Sequence, residues 1–222
     1  MDATARYDGF ADWYDAWAYG GPSPWTERVR ACVRELLGEG SGRLLDLGCG
    51  GGAQIPLLQE LGWTVTGIDV SADQLRVARG RVEVELVQAD AMQLPFEDER
   101  FDAVASLMIH SDVDDYAAVL GEAARVLRRD GALLHVGLHP CFFGHFSEPV
   151  EEGRLLRPGY HETALSFHGW DPAGARAKVG ARHVPLAGLL NGLLDAGLSL
   201  ERVLESEGEP PSLLAFRARR GS

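Results

Sequence analysis

Asp46-Leu47-Gly48-Cys49-Gly50-Gly51-Gly52 places a carboxylate two residues ahead of glycines at every second position. Glycine takes positive φ freely and has no Cβ to hold a ligand off the backbone. Phosphate loops add a lysine and rely on backbone N–H groups for an anion. Here an acid stands in front instead, where a ligand's amino group or hydroxyl can be held. The loop therefore predicts a nucleoside site for a ligand that carries an ammonium group. Asp69 and Asp90 follow two later apolar stretches, and His110 follows a fourth. Acids after three successive strands point to one shared ligand. The spacing Gly48-x-Gly50-x-x-Ala53 alone also suits a dinucleotide, so a nicotinamide or flavin cofactor is the alternative at this point.

Two histidines are candidates for proton transfer. His110 and His139 each lie at a strand end, and a neutral imidazole there can take a proton from a hydroxyl. The alternative for each is a histidine that packs or bonds to backbone. His135, His139, Cys141 and His145 match no standard zinc spacing, so no metal is expected. Cys49 sits in the tight loop and is expected to be inert.

The elements that must position these residues alternate. Strands are predicted at Arg43–Leu47, Thr64–Asp69, Glu83–Gln88, Phe101–Leu107 and Ala132–Leu138. Helices are predicted at 5–19, 25–38, 53–61, 72–79 and 113–128, with Ser71 as a cap for the fourth. This order predicts an α/β fold. The sheet is doubly wound, Rossmann-like and mostly parallel, with helices on both faces and ligands beyond the strands' carboxyl ends. Residues 139–184 break the rhythm with many aromatics and five histidines, and read as a substrate lid with short helices. A last helix around Leu186–Leu194 and two strands at 198–204 and 212–219 predict a closing antiparallel hairpin. The expected organisation is one domain over 1–222. It comprises a helical cover (1–38), a cofactor-binding core (43–138), a lid (139–184) and a C-terminal helix and hairpin (185–222).

The formal charge is −12, with Lys178 the only lysine. That argues against nucleic acid or an anionic membrane as partner. No apolar run approaches the roughly 18 residues of a membrane helix. The first residues, Met1-Asp2-Ala3-Thr4, do not resemble a signal peptide. Three scattered cysteines suit a reducing cytoplasm. A cytoplasmic monomer or homodimer is expected, and the arginine bias suggests a GC-rich bacterial genome.

Taken together, these motifs resemble those of the class I S-adenosylmethionine-dependent methyltransferases. Asp46 to Gly52 matches that family's acid-x-Gly-x-Gly-x-Gly loop. Gly67-Ile68-Asp69-Val70-Ser71 and Gln88-Ala89-Asp90-Ala91-Met92 resemble its second motif and its adenine-reading segment. Phe101–Val104 and Arg125–Leu134 resemble later family segments. The early Tyr7-Asp8 and Tyr14-Asp15 pairs resemble the N-terminal cover of small-molecule enzymes of the quinone-biosynthesis type.

The resemblance implies a seven-stranded sheet and S-adenosyl-L-methionine as cofactor, with S-adenosyl-L-homocysteine as product. It implies that Asp69 holds the ribose, that Asp90 accepts from the adenine amine, and that Ala91 and Met92 frame the ring. It also implies Tyr14, Gly48, Cys49, Gly50, Val70, Gln74 and Leu107 around the cofactor. Arg182-His183-Val184-Pro185 resembles a subgroup signature that usually reads His-Arg-Pro, with Val184 in place of the arginine. A small apolar or aromatic acceptor is expected, held by Trp13, Trp17, His110, Phe142, Phe143, His145, Trp170 and His183. The alternative is a protein of the same fold that binds the cofactor without transferring its methyl group.

Overall fold

The computed structural model describes residues 5–168 and 174–221. Trp170, an expected acceptor contact, lies outside them. Five parallel strands form the centre: β1 (Arg43–Leu47), β2 (Thr64–Asp69), β3 (Glu85–Gln88), β4 (Phe101–Leu107) and β5 (Leu127–Leu138). β8 (Leu198–Glu205) and β9 (Leu213–Arg220) complete a seven-stranded sheet in the order β3-β2-β1-β4-β5-β9-β8. β9 runs antiparallel to both of its neighbours, as the C-terminal hairpin requires. The strand order reverses direction between β1 and β4. Connections leave there to opposite faces and open a crevice beyond the strands' carboxyl ends.

Helices cover both faces. α5 (Tyr116–Val126) and α7 (Leu186–Asp195) bury Leu120, Leu189 and Leu193 against one side of the sheet. α2 (Pro24–Leu37), α3 (Ile55–Glu60) and α4 (Ala72–Arg79) bury Val33, Leu58 and Leu75 against the other. Caps set several starts. Ser71 Oγ accepts from Gln74 N at 3.1 Å, and Asp115 Oδ1 accepts from Ala117 N at 2.9 Å. The second bond explains why α5 begins at Tyr116 and not at residue 113.

The cover helix α1 spans Ala11–Tyr19 only, because Gly9 at φ 79° turns the chain before it. It is fastened over the strand ends from the α4 side. Asp8 Oδ1 accepts from Ser71 Oγ at 2.6 Å, and Arg76 and Arg81 pair with Asp12 and Asp15 at 2.6 and 2.8 Å. The insert differs from its expected short helices. Among its described residues it carries an antiparallel hairpin, β6 (Ser147–Val150) and β7 (Gly153–Leu156), and one helix, α6 (Ala175–Val179). The turn signal was Glu151-Glu152-Gly153, with Gly153 at φ 104°. Among the described residues no helix is long and apolar enough to cross a membrane.

Candidate functional site

A cavity of about 310 Å³ lies where the crevice was expected. All twelve residues expected around a cofactor line it: Tyr14, Asp46, Gly48, Cys49, Gly50, Asp69, Val70, Gln74, Asp90, Ala91, Met92 and Leu107. Each strand end delivers its share. β1 ends at Leu47, and Gly48 and Gly50 then adopt φ 63° and 52°, which an L-residue takes only with strain. A Cβ on Gly50 would meet only the Gln74 side chain within 4 Å, so bare backbone faces the cavity. β2 ends at Asp69, whose Oδ2 accepts from Gly50 N and whose Oδ1 accepts from Ser71 N, both at 2.9 Å. That carboxylate ties the first loop to the second. After β3, Asp90 Oδ1 accepts from Met92 N at 2.9 Å and shapes the turn that presents Ala91 and Met92.

Burial governs the electrostatics. Asp46 is 2% exposed, and desolvation, followed by the charge of Asp69, pushes its carboxyl up to about 8. Asp69 is raised to about 6, again by burial first, with its two backbone N–H bonds opposing the shift. Burial also raises the Cys49 thiol far above its ordinary range, consistent with an unreactive side chain. Gln74 Oε1 is buried without a hydrogen-bond partner among the described residues. A carboxyl out of water and an orphaned amide oxygen beside bare glycine backbone form an acceptor-rich cradle. An ammonium and ribose hydroxyls supply the donors it lacks.

The expected catalytic and acceptor residues are distributed differently. A second cavity, of about 380 Å³, adjoins the first and shares Tyr7, Tyr14, Tyr19, Gln54, Leu107 and Met108 as a common wall. Trp17 lines it, together with Trp25, Val29, Leu138 and Arg176, which carried no sequence signal. His110, Phe143, His145 and His183 gather instead around a small third cavity of about 20 Å³, which shares Leu138 and Arg176 with the second. Burial and the neighbouring His135 lower His110 well below the usual imidazole range. His183 is lowered to about 4, by burial and then by His145.

His139 lines none of these three cavities. Its Nδ1 accepts from Cys141 N at 3.2 Å, and its Nε2 lies 2.8 Å from Glu205 Oε1. Trp13, stacked on Trp17 at 5.7 Å, and Phe142, packed on His139 at 4.7 Å, line none of them either.

Arg6 and Asp112 also line the first cavity and were not anticipated, and Arg182, noted in the sequence only within the subgroup signature, joins them. Arg6 lies in an irregular segment. It reaches the Asp112 and Val179 carbonyls across more than a hundred residues of chain, a contact that no local pattern marks.

Residues 45–135 match the family model described as a methyltransferase domain. The chain is 41% identical over 118 residues to methyltransferase GfsG of Streptomyces halstedii, covering 48% of this chain and 42% of that one. It is 29% identical over 211 residues to a demethylmenaquinone methyltransferase of Thermus thermophilus, covering 92% and 83%. The chain thus spans about half the length of some curated relatives it matches. An S-adenosylmethionine-dependent methyltransferase structure from Mesorhizobium loti superposes with a TM-score of 0.70 at 23% identity, over 90% of this chain and 99% of that one. The acceptor-rich cradle fits the cofactor that these matches imply, S-adenosylmethionine. In loop, sheet order and matched segment this chain is similar to the class I S-adenosylmethionine-dependent methyltransferases.

Proposed function

We propose that this protein transfers the methyl group of S-adenosylmethionine to a small apolar or aromatic acceptor. The observation that carries this reading is the pair of cavities with a common wall. The first presents acids and bare backbone, and the second presents Trp17, Trp25, Val29 and Leu138. Asp46 receives the ammonium group, Asp69 the ribose hydroxyls, and Asp90 the adenine amine between Ala91 and Met92. The bound cofactor supplies an electrophilic methyl carbon. The chain's own task is to align the acceptor with it and to exclude water, which can contribute roughly 7–11 kcal/mol. Leu107 and Met108, at the shared wall, stand where acceptor and methyl donor meet.

The histidines play a smaller part in this reading. His110 is buried and held neutral, and it reaches the acceptor side only through the third cavity. A proton taken from a hydroxyl acceptor would leave along that route. Incubation with S-adenosylmethionine and a panel of aromatic and aliphatic acceptors, followed by mass spectrometry, should show the gain of one CH₂. Product formation that proceeds equally with S-adenosylhomocysteine would overturn methyl transfer and favour cofactor-assisted chemistry of another kind.

A further inference from the structure

Arg176 is the one charged side chain lining the second cavity among the described residues. It stands on α6, with its side chain only 13% exposed. Nη1 is occupied: it donates to Asp112 Oδ1 and, at 3.4 Å, to the Gly180 carbonyl. Nε and Nη2 have no partner among the described residues. These two nitrogens form one edge of the guanidinium fork, the edge that matches both oxygens of a carboxylate. Burial opposes the charge, but Asp112 and Tyr7 more than offset it, so the group stays cationic.

The surrounding charge is also unbalanced. Arg6 and Arg176 both converge on Asp112, and Arg6 takes only backbone carbonyls, those of Asp112 and Val179. The Asp112 carboxylate is matched through Nη1, and among the described residues the chamber itself presents Arg176 without any acid. Nε and Nη2 are open to the chamber, where a carboxylate makes stronger charge-assisted bonds than water does, so the chamber favours a ligand that supplies one. An ammonium-bearing acceptor would meet repulsion instead. A phosphate would bring a second negative charge to a chamber with a single cation.

We propose that the acceptor is an apolar carboxylate, gripped through both oxygens by Nε and Nη2 of Arg176, with its apolar body between Trp17, Trp25, Val29 and Leu138. This rests on the methyl-transfer reading above and narrows its acceptor to one class. A neutral or cationic acceptor of the same shape would leave the Arg176 edge unmatched.

Trp17 and Trp25 supply a fluorescence signal at the chamber wall. The test titrates 1-naphthoate and its neutral counterpart 1-naphthamide into the protein, with and without saturating S-adenosylhomocysteine. Naphthoate is expected to bind at least about tenfold more tightly than the amide, the equivalent of one charge-assisted hydrogen-bonded contact. Arg176→Gln should remove that difference while S-adenosylhomocysteine binding by calorimetry stays within about threefold, well under one such contact.

Equal binding of acid and amide to the unaltered protein would overturn the proposal. So would a preference that survives in Arg176→Gln. Thr26→Trp provides a second variant that leaves the Arg176–Asp112 pair intact. It fills the chamber from α2 and should weaken naphthoate and naphthamide together, and unchanged naphthoate binding there would place the carboxylate elsewhere. Calorimetry with S-adenosylhomocysteine alone tests the methyl-transfer reading separately. Absence of binding there would sink that reading, whereas the acid–amide comparison reports on the chamber.

Discussion

The two cavities share a wall of six residues, yet they are built by opposite means. The first is lined mainly from the strand ends, by residues within 46–54, 68–74, 89–92 and 107–114, with Arg6, Tyr7, Tyr14 and Tyr19 of the cover and Leu165 and Arg182 closing it over. Parallel pairing fixes those ends side by side, with Asp46 in register with Gly67 and Leu47 with Ile68. The second cavity is assembled from the cover, from α2, from the end of β5 and from α6, with Tyr7 and Arg176 at the extremes of the chain segments that meet there. The charges differ as well. Five aspartates and two arginines line the first, and a lone arginine lines the second. One cavity is thus set by the sheet and the other by what is laid over it. Changes at strand ends should therefore act on the cofactor, and changes in the cover or α6 on the acceptor.

The sharpest test of that division is Asp69→Ala. It removes the acceptor of the Gly50 and Ser71 N–H groups together with the proposed ribose contact. Hydrogen bonds to a charged group are worth about 1.5–3 kcal/mol each, so S-adenosylhomocysteine affinity should fall roughly 100-fold. Calorimetry reads this directly. Naphthoate binding measured without cofactor should change little, and a comparable loss there would merge the two cavities into one unit.

The pH dependence probes the same wall. Asp46 is raised to about 8 and Asp69 to about 6 in the folded chain, from ordinary values near 4. Across pH 4–8 the native state therefore holds protons that the unfolded chain has lost. The stability of the free protein should fall as pH rises through that window and level off above about 8. If Asp46 receives the cofactor's ammonium group as proposed, cofactor binding should run the other way, tightening by up to about tenfold per pH unit between 6 and 8. Asp46→Asn should abolish most of that slope. A binding profile that stays steep in the variant would assign the proton to another group.

The cover offers a smaller effect. Asp8→Ala removes bonds to Ser71 Oγ and Asp73 N, two ties between the N-terminal segment and α4. Each is worth about 1 kcal/mol, so release of S-adenosylhomocysteine followed by stopped flow should quicken roughly five- to thirtyfold. An unchanged rate would mean that the remaining ties, Arg76–Asp12, Arg81–Asp15 and Arg6–Val179, suffice to hold the cover.

The same contrast explains what was legible in the sequence. Asp46, Asp69 and Asp90 carried their meaning locally, since a strand, a turn and an acid lie within ten residues of one another. The mostly parallel sheet followed from the alternation of strand and helix for the same reason. Arg176 and Trp25 carried none, because their neighbours in the chamber come from distant parts of the chain. The insert misled by composition. Its histidines and aromatics pack largely on one another, with His183 against Phe146 and Tyr160 at 4.9 and 5.1 Å, and they build a hairpin-bearing wall around a cavity too small for an acceptor. Aromatic content reports burial as readily as it reports binding.

His139 brings that ambiguity to one side chain. From its position after β5 it has the same claim to catalysis as His110. In the fold its Nδ1 accepts from Cys141 N, so the ring proton lies on Nε2 and points to Glu205. A ring with both nitrogens committed, away from both large cavities, cannot take a proton from an acceptor without breaking those bonds. His139→Gln should leave kcat and KM within about twofold, while thermal melts report about 1 kcal/mol of lost stability from the missing bonds. A large fall in kcat with unchanged stability would show that the end of β5 opens onto the reacting atoms. The division between a sheet-built cofactor cavity and an overlaid acceptor chamber would then have to be redrawn at β5.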